Sequence, residues 1–179
     1  MRRSVVILLF CLCGAATLGR AQAVESADVR QFTIDAGGML SAFQPGEGDN
    51  GLIGFGTYAD LHFSHWFQVE GEARWLRLNQ YYGEHQDNYL IGPRVPIHQF
   101  GRQTQLYGKA LVGYGRMTFP FGFGYGSFTD FAFGAAVDHR LSRKLSVKAD
   151  FEYQYWPVFL NNQSLSPYGG TVGIGYRVF

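Results

Sequence analysis

The chain has little cysteine, little proline and no long apolar run beyond its N-terminal segment. Its two cysteines, Cys11 and Cys13, both lie in that segment, so the rest of the 179-residue chain carries neither disulfides nor thiolate chemistry. No run of 18 apolar residues follows, which excludes a transmembrane helix there. Charged residues make up only 16% of the chain, with 15 basic against 14 acidic. No basic patch points to nucleic acid.

The N-terminal segment reads as a signal for export. Arg2 and Arg3 form a positive n-region, Val5–Leu18 an apolar h-region and Ala21-Gln22-Ala23 an A-x-A cleavage site. A lipoprotein signal is the weaker alternative, because Leu-Leu-Phe before Cys11 and Phe-Cys-Leu before Cys13 lack the small residue of a lipobox. Residues 1–23 are therefore expected to be a signal peptide cleaved after Ala23, and residues 24–179 a single domain. Loss of Arg2, Arg3 and Arg20 leaves 12 basic residues against 14 acidic.

What the chain does have is glycine, 24 residues, and aromatic residues, 17%. Both are high against ordinary usage. It also has strict alternation. In Leu145–Tyr155, Leu145, Val147, Ala149, Phe151, Tyr153 and Tyr155 share one strand face, and Ser146, Lys148, Asp150, Glu152 and Gln154 the other. A soluble antiparallel sheet can alternate in this way. The length argues otherwise: ten steps of about 3.3 Å, tilted by about 45°, project to roughly 23 Å, close to the ~25 Å apolar band of a transmembrane barrel. The Tyr-terminated face fits a membrane interface.

Eight such strands can be marked, over 31–43, 51–63, 67–78, 87–98, 104–117, 128–139, 145–156 and 168–179. The gaps alternate long and short, as outer loops and periplasmic turns do, and an even strand count returns both chain ends to the periplasmic side. The fold expected is all-β: an eight-stranded antiparallel transmembrane up-and-down β-barrel. Pro93 and Pro96 make the fourth strand ambiguous and imply a bulge or an early end.

The inward faces collect the charge. The third strand offers Glu70, Glu72 and Arg74, and the seventh Lys148, Asp150 and Glu152. Arg94 and Lys109 add cations; Asp35, Asp60, Asp130 and Asp138 add acids, these four expected near the water-filled ends. Carboxylates at i and i+2 lie about 7 Å apart on one face, which would suit an acid/base pair or a proton or ion path. An eight-stranded barrel is only wide enough for side chains to fill. A salt-bridge network over Glu70, Glu72, Arg74, Arg94, Lys109, Asp138, Lys148, Asp150 and Glu152 is therefore preferred to a catalytic dyad. Inward glycines on other strands are expected to make room for these long side chains.

Other constellations are weak. Asp60, His62 and His65 could approach a metal, but the spacing is loose and no metal is expected. His85 with Glu84, Asp87 and the serines Ser41, Ser127, Ser164 and Ser166 gives no triad spacing, so no catalytic residue is assigned. Arg77 and Arg116 stand outward at the outer ends of their strands, where arginines can meet lipopolysaccharide phosphates. Trp75, Tyr81, Tyr82 and Tyr114 are expected in one aromatic girdle, Trp66 and Phe67 in the other. The stretch Phe119–Phe128 reads as an outer loop that lies on the bilayer, caps the barrel or touches a ligand.

Several stretches carry a resemblance. Glu70-Gly71-Glu72-Ala73-Arg74-Trp75-Leu76, Ile91-Gly92-Pro93-Arg94, Val112-Gly113, Asp150-Phe151-Glu152-Tyr153-Gln154-Tyr155-Trp156-Pro157 and the closing Thr171–Phe179 segment together resemble the small outer-membrane β-barrel domain of the OmpA-like superfamily. One departure is that Val172, Ile174, Tyr176 and Val178 share a phase that the terminal Phe179 does not. The resemblance implies the outer membrane of a Gram-negative cell and the barrel insertion machinery as a partner, and it implies no activity.

The reading is an integral outer-membrane barrel with a structural, envelope role and a filled interior, monomeric, without cofactor, among outer-membrane lipids and lipopolysaccharide. The alternatives are an outer-leaflet lipid-modifying enzyme, a small cation-selective leak channel, and a soluble lipocalin-like barrel with its faces inverted.

Overall fold

The structure, a computed structural model, describes residues 32–45, 51–80, 82–122, 124–157 and 164–178. The expected signal peptide and Phe179 lie outside the described residues. Eight strands follow one another: β1 (Thr33–Gln44), β2 (Leu52–His62), β3 (Gln68–Leu76), β4 (His85–Phe100), β5 (Thr104–Thr118), β6 (Tyr125–Arg140), β7 (Leu145–Tyr155) and β8 (Tyr168–Arg177). Each pairs antiparallel with the next, and β1 closes on β8 from Asp35↔Arg177 to Gln44↔Tyr168, giving a closed barrel. Closure leaves no sheet edge, so backbone polar groups are satisfied within the wall.

The faces divide as the alternation requires. On β7, Phe151 and Tyr153 are 56% and 47% exposed, while the intervening Glu152 is fully buried. Outward Leu40, Phe55, Ile91, Phe133, Val172 and Ile174 are likewise exposed. The barrel is thus apolar outside and charged inside, the reverse of a soluble barrel. The lipocalin-like alternative falls on this point.

All eight strands lie within three residues of their expected bounds, and two of the differences have a clear physical reason. β4 does not stop at its prolines: it runs on to Phe100 and absorbs the irregularity as a register shift between Pro96 and His98, past which its inward-outward alternation is lost. Ile97 is the extra residue, and such a bulge is where a proline is tolerated in a ladder. β6 begins at Tyr125 rather than at 128, because Tyr125, Gly126 and Ser127 pair with Thr118, Met117 and Arg116. The loop expected there shrinks to a 3-10 turn at Pro120–Gly122 and its flanks.

Pairing continues beyond the strands on the long-loop side. Asn79 takes the Ile53 amide at 2.6 Å and donates to the Gly51 carbonyl at 2.6 Å, fastening β2 to the segment after β3. Trp156 and Leu165 exchange backbone hydrogen bonds of 2.9 and 3.1 Å past the end of β7.

Candidate functional site

The lumen is layered along the barrel axis. At the mouth on the short-turn side Asp35 accepts two 2.8 Å hydrogen bonds from Arg177 and lies 2.9 Å from His62. Next comes a belt of ions. Lys109 on β5 reaches Glu70 at 2.9 Å, Glu72 at 2.8 Å, Asp150 at 3.0 Å and Glu152 at 2.5 Å, drawing β3 and β7 to one point. Arg74 pairs with Glu72 and Glu152. Lys148 reaches Glu70 at 2.5 Å. Arg94 holds Asp60 at 2.9 Å, Glu70 at 3.3 Å and Asp138 at 2.7 Å. All four cations are buried. They come from β3, β4, β5 and β7, so the belt ties strands on opposite walls.

Aromatic rings cushion these cations. The Arg94 guanidinium lies 3.7 Å from the Tyr107 ring centroid, and the Lys148 ammonium 4.3 Å from that of Tyr58. Tyr58 fits because Gly37, Gly173 and Gly175 leave a bay. A β-carbon added at Gly175 would sit 2.5 Å from the tyrosine oxygen. The inward glycines therefore make room for rings as well as for ions; a β-carbon at Gly115 would meet the Phe128 ring at 2.1 Å.

Beyond the belt the lumen mixes hydroxyl and amide side chains, one carboxyl and apolar side chains. Ser41 and Thr171 share a 2.9 Å hydrogen bond, and Gln86, Asn88 and Asp130 form a chain with contacts of 2.6 and 2.5 Å. Around them pack Phe43 with Leu52 and Leu76, and Leu90 with Leu111 and Ala132. Met117, Phe128 and Trp156 then pack together at the long-loop end, with Phe119 and Leu165 against them. Phe128 stacks on Trp156 at 3.7 Å between centroids.

The description "Outer membrane protein beta-barrel domain" belongs to the protein family that matches residues 8–177. The chain belongs to that family. It is an outer-membrane barrel, and its short turns accordingly face the periplasm. Among solved structures it is similar to Neisserial surface protein A (11% identity, TM-score 0.61, covering 81% of this chain and 96% of that one). It is similar also to the N-terminal β-barrel domain of Pseudomonas aeruginosa OprF (11%, 0.57, 82% and 99%) and to Ail of Yersinia pestis (21%, 0.50, 82% and 97%). At these identities the likeness is one of fold. A comparison with curated proteins found no match.

With the barrel so oriented, the remaining candidates can be placed. Asp60 and Asp130, expected near water, are 2% and 0% exposed. Strand tilt carries them into the wall's interior, where Arg94 and Asn88 take them up. Asp35 and Asp138 do lie toward the periplasmic mouth. Arg77 is engaged by both carboxylate oxygens of Asp87, a pairing that holds its guanidinium above the usual value. Arg116 is exposed and lies 4.6 Å from the Tyr125 ring centroid. In the periplasmic girdle Trp66 is 72% exposed; in the outer one Tyr82 is 55% and Tyr114 48% exposed, while Tyr81 lies outside the described residues.

The weak constellations do not converge. Asp60 turns to Arg94 and His62 to Asp35, while His65 packs on Trp66. The His85 ring bonds the Gly83 carbonyl, Ser41 turns inward to Thr171, and Ser127 accepts from Tyr114 at 2.7 Å. Among the described residues one carboxylate group has metal-like closeness, Glu70, Glu72, Asp150 and Glu152, and the Lys109 ammonium already contacts all four. Reading the sequence missed Arg177 as partner of Asp35. Its phase with Gly173 and Gly175 was the available signal.

Proposed function

We propose that this barrel serves the outer membrane structurally, without catalysis or cofactor, and that its lumen is closed by the charged belt rather than open as a pore. The observation that carries this reading is Lys109, whose buried ammonium contacts carboxylates from β3 and β7 at once. A side chain so held lies across the lumen, and the cations beside it fill the section that remains. The protein works as a monomer, delivered by the barrel insertion machinery, with outer-membrane lipids as its surroundings. Arg116 is the stronger lipopolysaccharide contact and Arg77 the weaker, since Asp87 already occupies the latter.

The test is conductance of the purified protein in a planar bilayer. The expected record is flat; a steady open-channel current would end the closed-lumen reading. Any small leak should favour cations, because six carboxylates of the belt (Asp60, Glu70, Glu72, Asp138, Asp150, Glu152) face four cations. Mass spectrometry of lipid A from cells with and without the protein addresses the enzyme alternative, and identical spectra are expected.

A further inference from the structure

The outer wall carries a feature that the filled lumen does not explain. An apolar furrow of about 640 Å³ runs over the β7–β8–β1–β2 face, walled by Leu40, Phe55, Val147, Val172 and Ile174 and floored by Gly38. Nothing stands in it at Gly38, where an added β-carbon would find only the Gly56 carbonyl, 4.0 Å away. Two residues further along β8 toward the periplasm, about 7 Å on, Tyr176 faces the same side, and the Lys144 ammonium lies 5.7 Å from its ring centroid.

Lys144 is not alone there. Arg140 and Arg143 line the same small polar recess at the β6–β7 turn, together with Ser142, whose hydroxyl accepts from the Lys144 and Leu145 amides. Among the described residues none of these three cations forms an ion pair, whereas Asp35, the carboxylate of that recess, is taken by Arg177 and His62. The furrow thus has an apolar body and a cationic head, aligned along the membrane normal, with the head at the periplasmic surface.

We infer that this furrow and its cationic head form a binding site for an anionic phospholipid of the inner leaflet, one acyl chain lying over Gly38 and the phosphate meeting Lys144 and Arg143. Charge complementarity selects this occupant. A second copy docking in the same membrane orientation around a two-fold axis would bring two such cationic heads together without compensation. Lipid tails are as apolar as the furrow walls, so specificity rests on the head group. A basic residue at an anionic lipid surface is worth roughly a fivefold change in affinity.

The test uses the full-length mature barrel reconstituted in vesicles of equal phosphatidylglycerol and phosphatidylethanolamine, then released for native mass spectrometry. The wild type is expected to retain phosphatidylglycerol in preference. Arg143→Gln with Lys144→Gln should lower retained phosphatidylglycerol more than tenfold and abolish the preference. Gly38→Leu, which fills the furrow, should lower retention while leaving the head intact. Heat-modifiable gel mobility serves to show that each variant is folded. Equal retention of the two lipids by the wild type, or retention unchanged in both variants, overturns the site; so does a dimer mass that Gly38→Leu removes, which would make a second copy the occupant.

Discussion

The periplasmic half of the lumen is filled by ion pairs, the outer half by rings and aliphatic side chains around a small neutral network and Asp130. Lys109 is buried among four carboxylates; Phe128, beyond it toward the outer end, is buried against Trp156. Neither filling would serve alone. Buried ions lose their hydration, and only close partners and a dry surround return that cost. A cap that keeps water from the outer side of the belt would lower the local dielectric in which its pairs act. The two levels can therefore be perturbed separately, by the loss of a charge at one and by the loss of a ring at the other.

The largest effect is expected in the belt. Lys109→Met removes the cation that Glu70, Glu72, Asp150 and Glu152 share, and its destabilisation should reach about 5 kcal/mol, the upper end for removing one partner of a buried pair. Urea unfolding of the refolded barrel in detergent or vesicles measures it. Adding Glu72→Gln to Lys109→Met should recover part of the loss, since the two sites are in contact and their effects are not additive. Strict additivity would mean that the belt's charges do not act as a unit.

In the cap, Phe128→Ala should cost about 3 kcal/mol, the low end for a buried Phe, because a site at the barrel's end can partly collapse. Its conductance should remain flat, with the belt still in place. A current from Phe128→Ala but none from Lys109→Met would reverse the comparison and make the cap the true closure.

How much of this is legible in the sequence differs between the same two regions. Leu145–Tyr155 alternates without fault, and the observed β7 has those bounds. Glu70, Glu72 and Arg74 lie on one face for the same reason. Which of them meets which cation is set by strand tilt and stagger, properties of the closed sheet that no single strand records. So Asp60 and Asp130 read as end residues yet sit deep. The cap was harder still. Its ring Phe128 lies in a Gly- and Phe-rich stretch that reads as loop, and only the ladder opposite β5 reveals the last four residues, Tyr125–Phe128, as strand. On β4 the bulge at Ile97 breaks the period that reading relies on.

Outside both fillings, the rim supplies the smallest prediction and a control for them. Arg77 has a side chain 46% exposed against 12% for Asp87, so water and salt reach the pair from one side. Exposed pairs are worth about 0.2–1 kcal/mol, and Arg77→Ala should fall in that range. The change should shrink further between low salt and about 1 M salt, where the Debye length is about 3 Å. Lys109→Met should be nearly indifferent to the same salt, its partners being sealed from bulk water. Comparing the two variants at both ionic strengths therefore asks whether the belt is dry. If salt weakens the effect of Lys109→Met as much as that of Arg77→Ala, ions reach the belt and the cap does not exclude water from it.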